Sequence, residues 1–185
     1  MDWTELWLNI HKCTENYKIE SSIWQMVHRN FICSYFLKKI YNTDGKCKLC
    51  GQIELNRTHI FMNCNIIKYI YHNSDDIIRK MVNIDLSPME MAFGIFNNDS
   101  NKTTLRNYIT FAIRHIIFIN RNKEFESQTL CKHILLKKTK SFIKKDLEDK
   151  LNISKAKNNC PKFEQKYLID NILGKIENDK LIFNF

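Results

Sequence analysis

Cys47, Cys50, His59 and Cys64 constrain this chain more than any other feature. They stand in the order C-x2-C-x8-H-x4-C within eighteen residues. A C-x2-C turn aims two thiolates at one point, and Gly45 before it and Gly51 after it let the backbone bend tightly there. His59 and Cys64 lie about one to one-and-a-half helical turns apart, close enough to complete a tetrahedron if a helix starts or bends between them. That is the ligand count of a closed structural zinc site, with no open position for a nucleophilic water. Four unrelated residues are the alternative. The short span and the flanking glycines favour one structural Zn2+ on a ligand loop over residues 45–66.

What surrounds such a loop follows from composition. At 185 residues the chain can bury a core of its own, and 44% apolar residues is a globular proportion. Only four glycines and two prolines argue against a turn-rich β-sandwich or barrel, and apolar residues recur mostly three and four apart. The expectation is a mainly α fold: a helical zinc-knuckle domain over residues 1–128 and a basic amphipathic helical extension over 129–185. No run approaches the eighteen apolar residues of a membrane span, and MDWTELWLNIHKC carries two acids and no apolar core segment. An intracellular protein with reduced thiols is therefore expected, with neither nucleus nor cytoplasm singled out.

Trp3, Leu6, Trp7 and Ile10 have helical spacing. Ser21 or Ser22 is placed to cap a second helix whose face is Trp24, Val27, Phe31 and Tyr35, running to about Tyr41. Cys64 leads into a helix carrying Ile66, Ile67, Ile70 and Tyr71. Asn73-Ser74-Asp75-Asp76 is a break and N-cap for Ile77 to Val82, and Ser87-Pro88-Met89-Glu90 is a clean helix start for Met89, Ala92, Phe93 and Phe96. Asn97 to Lys102 reads as a loop. Thr103 or Thr104 then opens the expected longest, central helix, to about residue 126, with Leu105, Tyr108, Ile109, Ala112, Ile113, Ile116 and Ile117. From Leu130 a stripe of Ile134, Leu135, Phe142, Ile143, Leu147 and Leu151 opposes a lysine-rich face. Phe163 to Ile176 is expected to form a last helix, and Leu181 to Phe185 a short strand or apolar clip.

The net charge of +9 is unevenly spread. Residues 132–157 hold nine basic and three acidic side chains, so six of the nine net charges sit on one predicted helix. Clustered lysine neutralises phosphates and releases counterions, which gives affinity for RNA or DNA without sequence specificity. Isoleucine, asparagine and lysine dominate the whole chain, so part of this lysine reflects general composition. The candidate contacts are Lys137, Lys138, Lys140, Lys144 and Lys145 on the helix and Lys46, Lys48 and Arg57 on the loop.

Trp24-Gln25-Met26-Val27-His28-Arg29 is followed by Cys47-Lys48-Leu49-Cys50-Gly51, then Glu54, then His59-Ile60-Phe61-Met62-Asn63-Cys64. This order resembles the C-terminal region of non-LTR (LINE-type) retrotransposon reverse transcriptases. Ala92-Phe93-Gly94 is similar to a step that follows the knuckle in that family, and residues 112–122 resemble a helix that ends there in a basic pair. The likeness spans roughly residues 20–126; no tryptophan follows the last cysteine, and the lysine-rich tail has no counterpart. It implies binding to template RNA or target DNA without polymerase activity, in a detached or captured fragment. Asp75-Asp76 lacks the aromatic residue that precedes a polymerase acid pair and reads as a helix cap. No catalytic residue is expected. Cys131, His133 and Cys160 are too widely spaced to suggest a second metal site. A zinc-stabilised protein-interaction adapter that does not bind nucleic acid is the competing expectation.

Overall fold

A computed structural model describes residues 3–28, 32–54, 56, 59–73, 90, 93–95 and 100–185. Along the chain come α1 (Trp3–Thr14), α2 (Tyr17–Val27), α3 (Ser34–Tyr41), a π-helical turn (His59–Asn63) and α4 (Asn65–Asn73). They are followed by α5 (Asn101–Asn120), α6 (Gln128–Ala156), α7 (Cys160–Tyr167), a 3-10 turn (Ile169–Asn171) and a hairpin of β1 (Gly174–Glu177) and β2 (Lys180–Phe183). The fold is mainly α, as the spacing of apolar residues predicts. No helix among the described residues is long and apolar enough to cross a membrane.

α5 is the centre. The Ser100 hydroxyl accepts the Thr103 N–H at 3.1 Å and starts the helix. Leu105, Tyr108, Ile109, Ile113, Ile116 and Ile117 are buried, and so are Phe111, Arg114 and Phe118. A helix buried nearly all round must have neighbours on every side, and α1, α2, α6 and α7 supply them. Each fully buried Ile, Leu or Phe contributes roughly 1.5–3 kcal/mol, so this helix anchors the molecule. Asn107 of α5 holds the backbone of Ile95, accepting its N–H at 2.8 Å and donating to its carbonyl at 3.0 Å. Gly94 reaches that position with φ +80°, where a Cβ would stand 2.8 Å from Asn107 Oδ1.

A polar hub ties α6 to this layer. Asp146 accepts hydrogen bonds from Tyr108 at 2.7 Å, from Lys150 at 2.8 Å and from the Asn16 amide. The carbonyl oxygen of the Asn16 side chain accepts from Lys18 N–H and Ile19 N–H, which caps α2. One side chain thus joins the α1–α2 corner to a residue 130 positions away. The α6 stripe, through Leu135, Ile143, Leu147 and Leu151, lies in the same core cluster as α1 to α5.

Several boundaries differ from the spacing-based expectation. The second helix starts at Asn16, not Ser21 or Ser22, because Asn16 has the extended backbone of a cap and Ser22 is buried against His115 at 2.7 Å. It ends at Val27, and a separate α3 covers Ser34–Tyr41. Its buried face is Ile19, Ser22, Ile23 and Met26, while Trp24 is 46% exposed. Lys102 belongs to α5, which stops at Asn120, and α6 with 29 residues is the longest described helix. The last helix stops at Tyr167: Asp170 and Asn171 take positive φ, and Gly174 faces the Ile182 carbonyl too closely for any Cβ. A hairpin follows, turned by Asn178 and Asp179, both at positive φ as a type I′ turn requires. The expected features at Ser74 to Val82, Ser87 to Met89, Ala92 and Phe96 to Asp99 lie outside the described residues, as does Phe31.

Candidate metal centre

The ligand loop is built by backbone hydrogen bonds before any ligand is considered. Cys47 N–H donates to Gln52 O, and Gly51 N–H returns to Cys47 O, each at 2.8 Å. Lys46 and Ile53 form a β-bridge, and Glu54 N–H donates to Gly45 O at 2.9 Å. This closed turn needs Gly45 and Gly51 at φ +68° and +72°, the left-handed region in which a side chain strains the backbone. Cys47 and Cys50 therefore point the same way from a rigid knuckle.

The second pair comes from an unusual helical turn. Cys64 N–H donates to His59 O at 2.8 Å, a five-residue spacing that defines the π turn, and Lys68 N–H then takes Cys64 O as the first bond of α4. In a regular α-helix residues five apart diverge by more than a quarter turn; the wider π turn brings both back to one side. His59 is itself fixed by Asn56, whose Oδ1 accepts the His59 N–H at 3.1 Å.

The two halves converge. One ligand atom from each of Cys47, Cys50, His59 and Cys64 lies within 4.8 Å of the other three, and all four residues are buried. Cys50 Sγ and His59 Nε2 are 3.3 Å apart. Tetrahedral zinc with Zn–S of about 2.3 Å and Zn–N of about 2.0 Å sets neighbouring donors roughly 3.5–3.8 Å apart, so the donor set fits one such ion. The electrostatics agree. The adjacent Cys64 sulfur and burial push the Cys47 thiol far above its ordinary range, and burial pushes Cys50 up. Sulfurs crowded this way resist ionising on their own; a cation at their centre would favour the thiolates. The group can hold a metal ion, and it is the one such cluster among the described residues.

The centre is fastened to the rest of the fold at three points. Glu54, buried, accepts the Tyr35 N–H at 2.9 Å and so sits at the N-terminus of α3, where a carboxylate is favoured. Gln128, in the first turn of α6, donates its amide to the Cys50 carbonyl at 2.8 Å. Lys48 pairs with Glu124 at 2.7 Å in the link before α6. Cys131 is fully buried next to the centre, its thiol pushed up to about 11 by burial and by Cys47 and Cys50. It is not one of the four donors, and neither are His133, which is exposed, and Cys160. Asn56 has a sequence signal, an asparagine three residues before the helical His59. Gln128 has none, since its partner is 78 residues away.

The predicted nucleic-acid contacts are dispersed. Lys46 is exposed on the knuckle and Lys48 is engaged by Glu124. Lys138 is half-buried and donates to Asn120 Oδ1 at 2.6 Å, so it faces α5 rather than solvent. Lys137, Lys140, Lys144 and Lys145 do share one side of α6. Arg57 lies outside the described residues. Set against known protein families, curated proteins and solved structures, the chain matches none of them.

Proposed function

We propose that the chain is a non-catalytic nucleic-acid-binding module whose ligand loop is folded by one structural zinc ion. The convergence of four buried donors within 4.8 Å carries this reading. Three thiolates and an imidazole suit zinc by softness and geometry, and four protein donors leave no position for a substrate or an activated water. Bound zinc would supply folding energy, not a reactive oxygen. The nucleic-acid part rests on the six net positive charges of residues 132–157. The resemblance to the C-terminal region of LINE-type reverse transcriptases supports the same assignment.

The test is native mass spectrometry of purified protein beside Cys47→Ser/Cys50→Ser, followed by binding of labelled RNA and DNA at rising salt. One zinc per chain, lost in the variant, with affinity falling steeply as salt rises, is the expected result. Folded protein without bound metal would overturn the zinc assignment. Exposed Ile40 and Tyr41 at the end of α3 and Ile53 on the knuckle favour a second reading, a protein-interaction adapter. For that reading a partner would bind with little salt dependence, and nucleic acid would not bind at all.

A further inference from the structure

Four lysines of α6, Lys137, Lys140, Lys144 and Lys145, line a shallow trough of about 760 Å³ on the solvent side of the helix. Successive turns of an α-helix are about 5.4 Å apart, so the row offers one or two ammonium groups per turn, a repeat suited to successive phosphates of an extended strand. Aromatic rings stand beside the row at Lys144, whose Nζ lies 5.3 Å from the rings of both Phe183 and Phe185. Both rings are half-buried, rooted in the core and partly open to solvent. From Lys137 to Lys144 the helix rises about 10 Å.

We infer that this face of α6 is a track for a single-stranded nucleic acid, its phosphates on Lys137, Lys140, Lys144 and Lys145 and a base against the Phe183–Phe185 pair. The inference rests on the nucleic-acid reading above and gives it a place and a strand state. Charge complementarity selects a polyanion. The rings select a single strand, because unpaired bases expose the π faces that aromatic side chains stack on, whereas a duplex hides them. Glu148 and Asp149 close the trough at its C-terminal end and set a limit on where phosphates can lie. Lys138 and Lys150 take no part: one donates to Asn120, and the other is buried against Asp146.

Fluorescence anisotropy on metal-loaded protein tests this with labelled oligo-U, oligo-dT and a duplex, each of about twelve nucleotides. Wild type should bind the single strands at least tenfold more tightly than the duplex. The slope of log affinity against log salt should be about −2 to −3, at roughly −0.7 for each phosphate neutralised. Lys137→Glu/Lys140→Glu/Lys144→Glu should lose at least tenfold and flatten that slope, and Phe185→Ala about fivefold or more. Lys46→Glu, which spares the Lys48–Glu124 pair, should change little. The ratio of oligo-U to oligo-dT affinity identifies the natural strand. Melting curves of each variant separate lost binding from lost folding, and Phe183→Ala provides a second aromatic variant if Phe185→Ala fails to fold. Equal binding of duplex and single strand, or a loss confined to Lys46→Glu, overturns the α6 track while leaving the nucleic-acid reading in place. Failure of the metal-loaded wild type to bind any of the three probes overturns both.

Discussion

Around α5, twenty residues of helix are held by side chains arriving from four other helices. Around Cys47, a turn closed by its own backbone hydrogen bonds gathers four donor side chains, all within eighteen residues of sequence. The first region is stabilised by many small, non-directional contributions and depends on the whole chain having folded. The second concentrates its directed contacts in a few residues and presents a group that can hold a metal ion. The comparison teaches that the two should fail separately: removing metal ought to release the knuckle and spare the helices, and damaging the core ought to leave the donor set intact.

The strongest way to break that comparison is to remove one donor. Metal binding at structural sites of this kind is worth on the order of 10 kcal/mol, so Cys50→Ser should leave residues 45–66 without a fixed fold. Hydrogen exchange should then show fast amides there and continued protection along α5. Protection retained across both regions would mean that the loop does not need metal.

Asp146→Ala attacks the other side. It leaves the Lys150 ammonium, the Tyr108 hydroxyl and the Asn16 amide without their shared acceptor, two of those bonds being 2.7 and 2.8 Å long. Removing one partner of a buried ion pair costs about 3–5 kcal/mol. Urea unfolding should register that loss, with metal content unchanged. A small effect would show the hub to be replaceable by water.

Gly51→Ala sharpens the contrast at lower energy. Its φ of +72° strains any side chain, yet no atom lies within 4 Å of the added Cβ, so the penalty is purely conformational. At about 1–2 kcal/mol it should weaken zinc affinity roughly tenfold and leave the helical melting transition in place. A competing chelator read by absorbance measures the first, and calorimetry the second.

The smallest effect concerns pH. Burial first, and the nearby Lys18 second, hold the His115 imidazole below its ordinary value, with Asp146 opposing them. As pH falls through about 6.5, the unfolded chain takes up this proton before the folded one does. Stability contributed by neutral His115 is therefore present above that pH and lost below it. His115→Asn should flatten the decline relative to wild type, when both are measured by urea unfolding with zinc saturating. Parallel pH profiles would show that the imidazole takes up its proton over the same pH range in both states.

The metal donors were legible in sequence because they are contiguous and chemically distinctive. So was α4, whose Ile66, Ile67 and Ile70 fall on one face and are all buried. The core face of α2 was not. Trp24 is the largest apolar side chain there, but the helix turns Ile19, Ile23 and Met26 inward, and the partners that fix this orientation, Asp146 and His115, lie 130 and 93 residues away. The hairpin was masked by coincidence: Phe163, Tyr167, Ile169, Ile172, Leu173 and Ile176 keep helical spacing past the point where Asp170 and Asn171 break the helix. The Asn178-Asp179 pair was the available signal. The π turn leaves no trace in a pattern of apolar residues, since its purpose is to shift two polar donors by one position.

Because the knuckle and its covering helix are far apart in sequence, they also leave the ribosome at different times. Sixty-four residues separate Cys64, the last donor, from Gln128, which clasps the Cys50 carbonyl. At about 5–20 residues per second that gap amounts to roughly 3–13 s. During it the full donor set is present while the α6 turn that will cover it has yet to be synthesised. A metal acquired in that window would be covered by the Gln128 contact on the Cys50 carbonyl once α6 folds, and would exchange more slowly than from the open turn.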